Sequence, residues 1–284
     1  MSFVNSNWYI ALAFCFIFFV TGRQLGEISE KSSAKIGMTL ILILFALPSL
    51  LFPLGLIIPT LSNAAWYCSF RAINRIELMT SMIAPFTGFI TFKKTFHSYY
   101  RHSGVSIMQI LKPLAFPFSI LYVSVCFLKP LVLPIDKSII YQENWINGVM
   151  MPSSAANSGP AAILTIMNQI NGFEDYEYNV SAQTYSSADG ADIWYLARFS
   201  IEKGFRYRFI QVQDITNAPF PSLIRVKTET SNHCIALLNN ESGMLTIGDP
   251  LRGKFLLDSD EFDSLYTYSG LVLSISPNRA SGDE

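Results

Sequence analysis

The sequence predicts an α+β protein in two parts, about three N-terminal transmembrane helices and then a domain in which a helix packs on a mainly antiparallel sheet. Three observations predict it. The long apolar runs are confined to residues 1–136. The charge divides at the same place, with 10 Lys/Arg against 4 Asp/Glu in 1–136 and 10 against 17 in 137–284. Beyond residue 137 the texture changes to short helical patches, alternating apolar runs and Gly/Asn/Asp/Ser turns. We therefore place a membrane anchor at 1–136 and a folded domain at 137–284.

The composition fits this division: half the residues are hydrophobic, 14% are charged, and the mean hydropathy is +0.32. The basic residues accompany the apolar runs, so their charge reads as membrane topology and contact with lipid headgroups, not as a nucleic-acid surface. No nucleic-acid partner is expected. Cys15, Cys68, Cys126 and Cys234 show no disulfide framework and no metal-ligand spacing. No metal and no cofactor is expected.

The first span lies near 3–22. It has no basic segment before its apolar core and no small-x-small site after it, and so reads as an uncleaved anchor. Residues 36–61 are uncharged and long enough to cross, with Pro48, Pro53 and Pro59 as tolerated kinks. A third span fits near 108–131, where Lys112 and Lys129 can snorkel to opposite interfaces. The apolar segment 78–92 is short for a span and reads as an interfacial or re-entrant helix. The stretch Lys93, Lys94, His97, Arg101 and His102 reads as a headgroup-facing loop. With three spans, the positive-inside rule puts 62–112 in the cytoplasm and the domain outside; a span at 78–92 flips that parity.

In the domain, 158–171 reads as a buried helix and 188–204 as a second, with Asp189 as N-cap and Gly204 as its stop. The strand candidates are Tyr207–Val212, Ser222–Lys227, His233–Asn239, Leu245–Gly248 and Leu271–Ile275. Asn239–Gly243 links two of them as a hairpin loop.

These residues carry a resemblance. Ser158-Gly159-Pro160-Ala161-Ala162, opening a buried helix, is similar to the Cys-Gly-Pro-Ala start of the catalytic helix in bacteriocin-processing, double-glycine leader peptidases of papain-like fold. His233 begins an apolar strand, as the family histidine does, and Gly248-Asp249-Pro250-Leu251-Arg252-Gly253 resembles the family's Asp-Pro-x-x-Gly turn. An acidic-aromatic helix start at Ser259–Phe262, then Gly270 before a closing strand, extends the resemblance over roughly 145–276. It implies a papain-like domain with Ser158, His233 and Asp249 at the catalytic positions.

The chemistry explains such a pattern. A helix N-terminus lowers a thiol's pKa, a neighbouring imidazole takes the proton, and a third side chain fixes the imidazole tautomer. Two departures stand out. Ser158 occupies the cysteine's place, and a hydroxyl is far less acidic than a thiol. Pro152 stands where the family carries its oxyanion glutamine, and proline offers no amide of either kind. Asn157 could substitute if its amide pointed into the site, whereas Gln142 is distant in sequence. One replacement alone is what an engineered Cys-to-Ser trap would carry; two independent losses fit decay to a pseudoenzyme. The resemblance thus implies a membrane-anchored binding protein that holds a peptide or a partner subunit, within a multi-subunit membrane complex. The alternatives are a membrane peptidase cleaving after a small-residue pair and an assembly subunit whose spans do the work. Asn179-Val180-Ser181 and Asn240-Glu241-Ser242 match the glycosylation sequon.

Overall fold

The computed structural model describes residues 3–30, 35–92, 107–228 and 232–278. The basic stretch with His97 and His102 lies outside the described residues. The chain divides into two compact units. Among the described residues, one combines Val4–Pro59 with Arg75–Leu128; the other combines Phe3, Thr60–Asn74 and the residues from Lys129.

The first unit is helical. Helix α1 spans Asn7–Glu30 and α2 spans Lys35–Ala46. A 3-10 turn at Leu47–Leu50 carries Pro48 and leads into α3, Leu51–Ile57. Asn7–Ser29 and Ile36–Gly55 are long and apolar enough to cross a membrane, and Ile76–Thr91 and Lys112–Val125 are shorter apolar helices. Phe16, Ile41, Leu44 and Leu121 are exposed apolar side chains on these helices.

The segment after Asn74 begins as a 3-10 helix, Ile76–Ile83, and continues as α-helix through Ala84–Phe92. Its α-helical half lies close against α1: a side chain at Gly22 would collide with the Pro85 carbonyl, and one at Gly88 with the Phe19 carbonyl. Two glycines thus let two backbones meet, as small residues do between membrane helices. A later apolar helix, Ile107–Val125, contains Pro113 and Pro117. Hydroxyls join these elements: Trp8 Nε1 donates to Ser124 Oγ at 3.0 Å, the Thr87 and Ser119 hydroxyls pair at 2.6 Å, and Tyr122 donates to the Ser49 carbonyl at 2.7 Å.

The second unit opens, in chain order, with α4, Ala65–Ala72, from the middle of the apolar half of the sequence. The two helices of the other unit just described, Ala84–Phe92 and Ile107–Val125, are α5 and α6. A short α7, Lys129–Val132, follows, with Lys129 Nζ 2.8 Å from Asp192 Oδ1. Strands β1 (Asn144–Ile146) and β2 (Val149–Met151) form a hairpin across Asn147-Gly148, both with positive φ. Helices α8 (Ser158–Asn171), α9 (Glu177–Gln183) and α10 (Ile193–Glu202) come next.

Then follow β3 (Phe205–Gln211), β4 (Ser222–Lys227), β5 (Asn232–Glu241), β6 (Met244–Asp249) and β7 (Gly253–Leu257). Helix α11 (Ser259–Leu265) precedes β8, Thr267–Pro277. The six long strands pair antiparallel in the order β3-β8-β4-β5-β6-β7. One face of this sheet packs with α8, α10 and α4 in a core that includes Ala161, Leu164, Leu196, Tyr67 and Ala236. The other face closes over Ile235, Leu237, Phe262, Tyr266 and Val272.

Several expectations shift. The second helix starts at Ile193, not 188, and Asp192 takes the cap position expected of Asp189, because Ser187 and Gly190 pair in an isolated bridge upstream. Gly204, at φ +84°, does end that helical stretch. The β5–β6 loop is tighter than Asn239–Gly243: the strands pair to Glu241 and Met244, leaving only Ser242-Gly243, both at positive φ. Gly270 lies inside β8 at φ +80°, where a side chain would meet Gln211, and not before the strand. Cys68, which the division at residue 136 groups with the apolar half, lies with Cys234 in this unit.

Candidate active site

The start of α8 is set by sequence. A 3-10 turn, Ala155–Asn157, feeds the chain into the helix, and Pro160 falls in the first turn, where its missing N–H costs nothing. Gly159 admits the neighbours: a Cβ there would stand 3.1 Å from Leu196 Cδ1 and 3.8 Å from Cys234 Sγ. The helix can therefore lie against β5 with Ser158 at its N-terminus, where the macrodipole is positive.

The structure brings the three expected residues to one place. His233 Nε2 lies 3.2 Å from Asp249 Oδ2. Ser158 Oγ accepts from the Cys234 N–H at 3.4 Å, beside His233 on β5. Ser158 and His233 are each only 5% exposed and Asp249 is fully buried, so the site is closed to solvent.

Asp249 is the best-held member. Its Oδ1 accepts from the Leu251 N–H at 2.8 Å, and its Oδ2 from His233 and from the Tyr266 hydroxyl at 2.6 Å. Burial pushes its carboxyl up, but the bonds from His233, Tyr266 and Leu251 outweigh burial and hold it below the ordinary carboxylate value. Tyr266 shows the converse: burial and the adjacent carboxylate push its phenol up. A carboxylate at Nε2 keeps the proton on that nitrogen and leaves Nδ1 as a lone pair. That Nδ1 is buried and has no hydrogen-bond partner.

The imidazole is thus held in one orientation, but the rest of the site does not complete a catalytic set. No hydrogen bond joins Ser158 Oγ to His233 among the described residues; the hydroxyl takes a backbone N–H instead. The Ser158 N–H donates to the Ala155 carbonyl. Asn157 turns its amide away: Nδ2 donates to Glu177 Oε1 at 2.7 Å. The possibility that Asn157 replaces the missing glutamine is therefore overturned by Glu177. Pro152 has no N–H to give. Gln142 is exposed, its N–H donates to Ser153 Oγ at 2.9 Å, and it lines a cavity of about 270 Å³ with Tyr141, Glu143 and Tyr176.

Cys234 does not stand in for the nucleophile. Adjacent strand residues point to opposite faces, and Cys234 belongs to the core on the α8 face while Ile235 belongs to the core on the other. Burial pushes its thiol up, against the lowering effect of Arg225.

Two residues of the site escaped the sequence reading. Tyr266 completes the shell of Asp249. Glu177, itself buried, accepts from the Ser153 N–H at 3.0 Å, the Ser153 hydroxyl at 2.5 Å and Asn157, and so fixes the turn that leads into Ser158. Tyr266 follows the acidic helix start noticed in sequence; nothing local marks Glu177. The first sequon is closed to modification in this conformation, because Ser181 is fully buried on α9. In the second, Asn240 Nδ2 donates to the Thr216 carbonyl at 2.9 Å.

Residues 148–280 match the sequence model of the Peptidase C39 family, so the resemblance to double-glycine leader peptidases stands for this part of the chain. Among solved structures, the chain is similar to the peptidase domain of Streptococcus ComA, a bi-functional ABC transporter involved in a quorum-sensing pathway. The identity is 19% over 44% of this chain and 93% of that one, with a TM-score of 0.38. It is also similar to a double glycine motif protease from an AMS/PCAT transporter in complex with the leader peptide, at 19% identity over 50% and 96% with a TM-score of 0.40. The peptidase domain of Streptococcus mutans ComA gives 18% over 46% and 99%, with a TM-score of 0.36. No curated protein matches the chain significantly.

Proposed function

We propose that this chain is a membrane-anchored, catalytically silent homologue of the leader peptidases, which uses the peptidase-type cleft to bind a peptide or a partner subunit. One observation carries the reading: three donors that could stabilise an oxyanion beside Ser158 are missing or already committed. Pro152 donates nothing, Asn157 is held by Glu177, and the Ser158 N–H is held by Ala155. Each lost donor costs about 10²–10³ in rate, and a hydroxyl without a hydrogen-bonded base adds to the deficit. The His233–Asp249 pair survives because it is also structural, tied to Tyr266 and the Leu251 N–H.

The test is to offer the purified full-length chain a peptide whose leader portion ends in Gly-Gly or Gly-Ala and which continues several residues beyond it, and to follow cleavage by mass spectrometry and binding by anisotropy. Saturable binding without cleavage is expected. Cleavage that disappears in His233→Ala would establish the second reading, an active peptidase, which draws on the free Nδ1 of His233.

We read the anchor as four passes. Asn7–Ser29 and Ile36–Gly55 are long and apolar enough to cross, and the shorter apolar helices Ile76–Thr91 and Lys112–Val125 supply two further candidate passes. Ile76–Ile83 has 8 residues of 3-10 helix and Ala84–Phe92 has 9 of α-helix. At ~2.0 and ~1.5 Å per residue they reach about 29 Å, close to the ~30 Å of a hydrocarbon core. Tight winding thus lengthens a segment that residue count makes short.

Arg23, Lys31 and Lys35 then share a side with Lys93, Lys94, Arg101 and Lys112. The positive-inside rule makes that side cytoplasmic and puts the folded unit outside. The extra pass changes the side of the N-terminus and not that of the domain, since the basic stretch after Phe92 moves with it. Fusing an export-dependent phosphatase at residues 32, 67 and 100 tests this; activity is expected at 67 alone.

A further inference from the structure

We propose that the cavity beside the turn into α8 is a site for a lysine side chain, an anchor for the polypeptide that the domain binds. The proposal deepens the binding reading and rests on it for the occupant being a polypeptide. The cavity, of about 270 Å³, lies between the segment before β1 and the start of α9, with Tyr141, Glu143, Tyr176, Glu177 and Tyr178 in its wall. Three phenol rings and two carboxylates meet there, and no basic residue is among the described residues that line it.

The wall suits a cation. The Tyr141 and Tyr178 rings stand at 85° to each other with centroids 5.3 Å apart. Phe3 meets Tyr178 edge-on at 5.6 Å and braces it. Aromatic faces attract a cation through the ring quadrupole. Glu143 adds charge, for it is exposed and, among the described residues, pairs with no cation.

The deeper atoms decide which cation. The Tyr141 hydroxyl is buried without a hydrogen-bond partner, and so are Asn157 Oδ1 and Ser181 Oγ. The three oxygens are neighbours: burial pushes the Tyr141 phenol up, and Asn157 and Ser181 are the side chains that lower it. Both of those residues are fully buried. The free atom of Asn157 is fixed as an acceptor, because Nδ2 is the one that donates to Glu177. Whatever satisfies it must therefore donate, and the two hydroxyls can accept alongside it.

An ammonium brings three donors on a flexible stem. A guanidinium wants a carboxylate open to its fork, and the Glu177 oxygens already accept from Asn157 and from the Ser153 N–H and hydroxyl. Lysine is the better match. Glu177 also joins this site to the cleft, since the same carboxylate holds the turn that leads into Ser158.

The probe is Nα-acetyl-lysine methylamide, offered to the purified full-length chain in bilayer discs and followed by saturation-transfer NMR. Saturable binding is expected, with none for the norleucine analogue, which keeps the stem and lacks the ammonium. Tyr141→Phe, which keeps the ring and removes the hydroxyl, should weaken binding about tenfold. Glu143→Gln, at an exposed position, should weaken it about threefold. Asp263→Asn, exposed on α11, should leave it unchanged.

Equal binding of the two probes would make the cavity an apolar pocket and overturn the proposal. So would an absence of lysine binding, which would leave the three oxygens to buried water. Both results leave leader-peptide binding, measured separately, untouched. Lysine binding by a chain that does not bind the leader peptide would remove the cleft reading and keep the lysine site.

Discussion

Asn157 and Glu177 are joined by a 2.7 Å hydrogen bond that points the amide nearest Ser158 away from it. The bond explains why the turn before α8 is well formed and also why it supplies no donor to the site. Glu177 is buried and serves three donors at once, from Ser153 and Asn157. Glu177→Ala would leave them unpaired, at a cost of about 3 kcal/mol, with Glu177→Gln roughly half that. Chemical unfolding followed by tryptophan fluorescence measures it; a loss below about 0.5 kcal/mol would show that water replaces the carboxylate without penalty.

Activity should return stepwise if the missing parts are the stated ones. Ser158→Cys alone restores the nucleophile and should react slowly with a thiol-directed peptide probe, in a manner that depends on His233. Adding Pro152→Gln returns one oxyanion donor and should raise turnover of a double-glycine peptide by about 10²-fold over Ser158→Cys. Equal turnover in the single and double variants would locate the defect elsewhere.

Tyr266→Phe removes the 2.6 Å bond to Asp249 and leaves the His233 contact in place. The Asp249 carboxyl should then move up toward its ordinary value, with a stability loss of about 1–2 kcal/mol. Carbon-detected NMR of the aspartate side chains reads the first and thermal unfolding the second. An unmoved Asp249 titration would mean that His233 and Leu251 hold the carboxylate unaided.

The pH dependence follows from carboxyls held below their ordinary values. Asp249 is one; Asp175 is another, lowered against its burial by Asn179, the Tyr176 N–H and Lys203. A depressed carboxyl contributes stability above its unfolded pKa of about 3.9 and loses it as pH falls through the lower folded value. The unfolding temperature should therefore hold from pH 7 to about 5 and drop below about 4, less steeply in Asp175→Asn. A profile that falls between pH 7 and 5 would point to another group.

In the helical unit, Gly88→Leu should separate α1 from α5, because any side chain there meets the Phe19 carbonyl. Gly37, whose added Cβ would meet nothing within 4 Å, is the control. Detergent-resistant folding, measured by loss of monodispersity on heating, should fail at lower temperature in Gly88→Leu and not in Gly37→Leu.

Much of the domain was legible because its signals are local. Helix 158–171 and strand Ser222–Lys227 were read at both ends, where small residues, β-branched runs and turn residues coincide. The β1–β2 hairpin was missed although Asn147-Gly148 marks it; its strands are three residues each, too short to show alternation. Strand β7 was hidden because its partner β6 had absorbed the turn signal of Asp249-Pro250. The 3-10 winding of Ile76–Ile83 had no sign in the apolar run from which 78–92 was read. The roles of Glu177 and of Thr60–Asn74 had no local sign, for both are defined by what they touch far along the chain.

That last segment bears on how the protein is made. Arg198 and the Ala72 carbonyl it binds are 126 residues apart in the chain. Residues 60–74 leave the ribosome long before their seat exists, and they wait with Tyr67, fully buried in the folded domain, unprotected. Closing so large a loop is slow relative to local folding. The domain is therefore finished only after Arg198 has been made, and a truncation at residue 136 would strand α4 with nowhere to dock.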